Sequence, residues 1–193
     1  MKRIGRFSLV PVALLVILFV AARNYCPPHG VALTTQRRGF QQLKNRTALP
    51  QPSDFDTRVT LEMLLQPGDD RSRWSNARPV RIEGQVVGIS LGPLEAANCF
   101  CRRDIHIMLA SRLGAPPREQ VVLEITPRME TTKEWSMEKL ARDLVGRRAR
   151  FEGWLFFDSL HAGESENIAP GRANNWRATA WEVHPITKIE ILN

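Results

Sequence analysis

Five segments of alternating apolar and polar residues, with one amphipathic helix between the third and the fourth, predict a β-rich α+β fold. The alternation runs through 79–90, where Val80, Ile82, Gly84 and Val86 oppose Arg81, Glu83 and Gln85, and recurs at 104–110, 120–126, 148–157 and 175–192. The helix spans 133–145, with Met137, Leu140, Ala141 and Leu144 on one face. Glycines inside the strands, Gly84, Gly88 and Gly153, mark bends or bulges in a strongly curved sheet.

Taken in chain order, the first element is a leader. Lys2, Arg3 and Arg6 precede an uncharged apolar run from Phe7 to Ala22, the pattern that export machinery reads. Its 16 residues make about 24 Å of helix, short for a bilayer core of roughly 30 Å. Val20-Ala21-Ala22 offers a cleavage site, so residues 1–22 are expected to be a signal peptide or a transmembrane anchor. In either case the basic flank stays inside, and the rest of the chain faces the periplasm or is secreted. A polar, proline-containing stretch, 23–52, reads as a linker with at most a short helix. A globular domain then occupies 53–193, with its strands within 78–192. It opens on a helix over Thr57–Gln66, capped by Ser53-Asp-Phe-Asp56 and stopped by Pro67-Gly68. Gly146 terminates the helix before the fourth strand. Pro185 interrupts the fifth, which resumes at Ile186.

The formal charge of +7 falls to +4 without the three basic residues of the leader, too little to call for a polyanion. Cys26, Cys99 and Cys101 are the three cysteines. Outside the cytoplasm they can form disulfides. A Cys99–Cys101 bridge is strained by its spacing, Cys26 reaches either partner only if the linker folds back, and an odd count leaves one thiol over. Nucleophilic and phosphate-handling enzymes are poorly supported: no G-x-S-x-G surrounds a serine, and no G-x-x-x-x-G-K is present.

Three strands, a helix and two strands, with Leu144-Val-Gly-Arg-Arg-Ala-Arg-Phe-Glu-Gly-Trp-Leu155 forming helix end, turn and bent strand, resemble the OB-fold, a five-stranded barrel with a helix between strands three and four. The run Asn174–Glu190 is similar to the ending of OB-fold-like domains in uncharacterised bacterial envelope proteins. The resemblance places strands two, three and five side by side and brings no activity with it.

On that arrangement the strand parity puts His106, Glu124, Glu182 and His184 on one outer face, a set suited to a divalent metal or to acid/base work. His161, in the long 158–175 connection, would reach toward His184, and Asp158, Glu164, Glu166 and Asn167 are further donors there. The metal set is therefore His106, Glu124, His161 and His184. Hydrogen-bonded surface residues in a solvated loop are the simpler account of the same pattern. Trp154 and Trp176 lie outward and offer stacking platforms for a base or a sugar, unless the Thr57–Gln66 helix covers them. Cys99 and Cys101 join the candidates as a disulfide or thiols. The expected function is an exported or membrane-tethered binding module of the envelope. Its partner would be an envelope protein or an oligosaccharide, with the membrane engaged through 7–22 if the leader is retained. Nucleic acid is not favoured in that compartment. A metal-dependent hydrolase or nuclease using the His and Glu set is the alternative.

Overall fold

The computed structural model describes residues 26–192; the leader lies outside them. Its elements are α1 (Thr35–Lys44), α2 (Leu61–Leu65), β1 (Pro79–Leu94), β2 (Arg103–Ala110), β3 (Val121–Ile125), α3 (Pro127–Lys133), α4 (Met137–Leu144), β4 (Arg148–Phe157) and β5 (Trp181–Ile191). Among the described residues no helix is long and apolar enough to cross a membrane.

The strands form one five-stranded mixed sheet in the order β1-β2-β3-β5-β4, and the sheet closes because β1 pairs with both β2 and β4. All neighbours are antiparallel except β3 and β5, which run parallel and meet at Leu123 and Val183. The inner residues of the alternating pattern fill the interior: Val80, Ile82, Ile105, Ile107, Leu123, Phe151, Leu155, Trp181 and Val183 are all buried. Truncating a side chain such as Phe151 here costs about 3–5 kcal/mol, through lost transfer energy and the cavity left behind. The bends fall near the glycines. β1 shifts register between Val86 and Gly88, and β5 shifts against β4 around Gly153, where an added Cβ would stand 2.4 Å from the Pro185 carbonyl oxygen.

The helices close the interior. Leu61 and Leu64 of α2 join the core, and Leu61 rests where a side chain on Gly84 would otherwise be. Leu140 and Leu144 of α4 do the same from the other connection. Side-chain hydroxyls cap these helices: Thr60 accepts from Met63 N, Thr126 from Met129 N and Ser136 from Lys139 N.

Several boundaries differ from the sequence expectation. The helix expected over Thr57–Gln66 is only Leu61–Leu65, because Thr60 is its N-cap. The segment between β3 and β4 holds two helices, since Thr126-Pro127 starts an earlier one and Glu134 ends it at positive φ. β5 begins at Trp181, after residues 165–178 have been tied in by other bonds: Glu166 N donates to Arg177 O at 3.0 Å and Asn167 N to Ala178 O at 2.8 Å. The largest difference is the polar stretch before residue 53. It does not run free of the domain; α1 packs on the outside of the sheet, and a disulfide joins Cys26 to Cys99.

Candidate functional site

Strand parity carries the site. On β2, Ile105 and Ile107 turn inward, which leaves Asp104 and His106 on the opposite side; β3 and β5 add Glu124, Glu182 and His184. The register sets His106 directly beside Glu124. His106 Nε2 lies 3.2 Å from one Glu124 oxygen, and His184 Nδ1 lies 2.8 Å from the other. The same Nδ1 is 3.0 Å from Glu182 Oε1, whose second oxygen accepts from Arg177 Nη2 at 2.9 Å. Arg177 Nη1 is 3.7 Å from Asp158, and Asp158 meets His161 Nδ1 at 2.5 Å. A continuous line of paired polar side chains thus runs from His106 to His161.

The line is buried although it lies outside the core. His106, Glu124, Asp158, Arg177, Glu182 and His184 are each less than a tenth exposed. The N-terminal arm supplies the cover. Phe40 of α1 stacks on Phe156 with ring centroids 4.6 Å apart, and Phe156 in turn faces His184. Lys44 reaches in from the same helix, its Nζ donating to Glu95 at 2.7 Å. Asn45 donates to the Ala97 carbonyl and accepts from Arg128 Nη1. Gly92 on β1 leaves the room that His106 fills, since a Cβ there would be 2.4 Å from His106 Nε2.

Burial would strip His184 of its proton, but the Glu124 carboxylate in contact outweighs it, and His184 is pushed up to about 10. Glu124 moves the opposite way: burial raises it, yet His184, His106 and Lys44 together hold it well below the ordinary carboxylate range. Asp104 is pushed up to about 6, chiefly by burial. Burial likewise raises Glu182, reinforced by the neighbouring Glu124 and Asp158 charges. Lys44 stays charged against its burial because Glu124, Glu95, Glu182 and Asp104 surround it. The whole set works as one coupled assembly of buried charge.

Asp104, Glu124 and His184 bring potential ligand atoms within 4.8 Å of one another. His106 adjoins them through Glu124, whereas His161 stands at the far end of the line, engaged by Asp158. Glu164 and Glu166 face their own loop: Glu164 accepts from Trp176 Nε1, and Glu166 accepts from Gly171 N and Asn175 Nδ2. The tryptophans are half-buried, and each indole N–H is used. Trp154 donates to Ala48 O and lies under Arg46, and Trp176 bonds Glu164 beside Arg177. Trp154 is therefore covered by the arm and not by α2. Cys99 is bonded to Cys26, and Cys101 is free and exposed.

Sequence reasoning did not reach Lys44, Glu95 or Arg177 as members of this assembly. Gln41, Lys44 and Asn45, the buried positions of α1 and its cap, are polar, so a search for an apolar helical stripe passes over them.

Beside the buried line, the β1–β2 and β4–β5 connections face each other across a groove of about 350 Å³. Gln41, Lys44, Glu95, Phe100, Leu160 and His161 are among its lining. Its rim is apolar and open to solvent: Leu160 is 76%, Phe100 57% and Leu94 46% exposed. Comparison with family models and with curated proteins finds no match for this chain.

Proposed function

We propose that this chain is an exported or membrane-tethered binding module of the cell envelope, built on an OB-fold-like barrel, that holds an apolar segment of another envelope protein. The carrying observation is the groove between the β1–β2 and β4–β5 connections, with Leu94, Phe100 and Leu160 exposed on its rim. Grouped large apolar side chains in water mark a surface that another molecule covers, and those two connections are where OB-folds bind ligands. The closed five-stranded order, with β2, β3 and β5 side by side, supports that reading. The leader and the Cys26–Cys99 disulfide both favour an oxidising compartment.

The surface chemistry favours protein over the other partners expected from sequence. The outer face of β2, β3 and β5 is filled by the chain's own arm, and the Trp154 and Trp176 indole nitrogens are already bonded within the chain. Sugar and nucleic acid therefore lack a free stacking platform there. A photo-crosslinking amino acid at position 100 or 160 in cells should give a discrete protein adduct, and one at Val145, exposed at the end of α4, should give none. Leu160→Asp should abolish the adduct formed from position 100. Equal labelling from all three positions, or none from any, would reject the reading.

A further inference from the structure

We propose that Asp104, Glu124 and His184 form a binding site for one divalent first-row transition metal, with His106 as the adjoining fourth donor. This is independent of the groove and its partner. Two carboxylates and one or two imidazoles are a hard-to-borderline donor set, suited to Zn²⁺, Co²⁺ or Mn²⁺ and not to a soft ion that prefers thiolate. The three residues come from β2, β3 and β5, so the closed sheet holds their backbones in place before any ion arrives.

Proximity of acidic groups alone would not point to a cation. Two further observations do. Asp104 Oδ1 and His184 Nε2 are buried and have no hydrogen-bond partner, and both residues are 1% exposed. Native proteins seldom leave such atoms unsatisfied, because a buried polar atom without a partner carries its full desolvation penalty. In addition, His184 carries the arrangement that orients a ligating imidazole: its Nδ1 lies 3.0 Å from Glu182 Oε1 and 2.8 Å from Glu124 Oε2, which leaves Nε2 as the unengaged ring nitrogen. Glu182 is fixed in turn by the fully buried Arg177, so it acts as a positioning residue. Gly92 matches this reading, since it keeps the space beside His106 Nε2 free of a side chain.

When a divalent ion takes His184 Nε2, the proton leaves the imidazole for solvent as the metal–nitrogen bond forms, and nothing is oxidised or reduced. Lys44 would then be the competing internal cation.

The test uses the oxidised exported domain without a His-tag, unfolded in denaturant and refolded with Co²⁺ or Zn²⁺, then desalted. About one equivalent of metal should be retained, with visible Co²⁺ bands of nitrogen and oxygen ligation. Asp104→Asn and His184→Gln should each lower affinity at least about 10-fold, while His29→Ala leaves it unchanged. Lys44→Met, which removes the competing charge and keeps all donors, should tighten Co²⁺ binding. Retention below about a tenth of an equivalent in both wild type and Lys44→Met would overturn the site. So would wild-type affinity in folded Asp104→Asn and His184→Gln. A metal-free result with crosslinking at positions 100 and 160 intact would remove this site and leave the binding module standing.

Discussion

Arg177 shows how little freedom the buried line has. Its guanidinium is fully buried, bonds the Thr179 carbonyl and Glu182, and lies 3.7 Å from Asp158. Removing a buried charge strands its partners, at a cost of about 3–5 kcal/mol. Arg177→Met should therefore lower the unfolding free energy in urea by that amount, and a loss under about 1 kcal/mol would show that the line relaxes around the gap. His161 tests the other end. The hydrogen bond that His161 donates to Asp158 raises its pKa, opposed by partial burial and by Arg177 and assisted by Glu164. A histidine with a raised folded value stabilises most below its unfolded value of about 6.5 and loses that contribution as pH climbs through the folded value. Wild type should thus lose stability relative to His161→Asn on going from about pH 5.5 to about pH 8.5. A pH-independent difference between the two would mean that the Asp158–His161 bond does not discriminate between protonation states.

At the scale of elements, α1 decides what the outer sheet face is. Without it, His106, Glu124 and His184 would form an open polar surface; with it, they form an interior. The Cys26–Cys99 disulfide pins the arm near its start. Closing a loop of this length is worth about 4 kcal/mol by chain entropy. Cys26→Ser should lower the urea midpoint accordingly and speed amide exchange in 35–44 more than in the strands. Uniform exchange across both would mean that arm and sheet unfold as one unit. The strands were legible because their apolar period of two is driven by a buried interior, and Ile105, Ile107, Val121, Leu123, Trp181 and Val183 all sit on the inner side expected of them. The arm was not legible, since Gln41, Lys44 and Asn45 are held by hydrogen bonds and charge, which leave no periodic apolar trace. Asp104 was not singled out from the sequence, because strand parity was followed there through His106 and Asp104 opens the alternating run beside the charged Arg102-Arg103 pair.

For the molecule as a whole, two layers of organisation meet at one sheet. The inner face is an apolar core that any small closed barrel requires, and the outer face is a second interior built from ion pairs. Ion pairs of this kind add little net stability compared with apolar packing, so the stability of the fold rests on the inner face. The Cys26–Cys99 linkage also changes the topology of the arm. Residues 26–99 form a covalent ring, and α1 lies within it, tied at one end by sulfur and at the other by the chain that leads into β1. A pull on the leader side of Cys26 therefore loads the β1–β2 connection directly and bypasses α1. The cover over the buried charges is thus mechanically insulated from a load applied on the N-terminal side of Cys26.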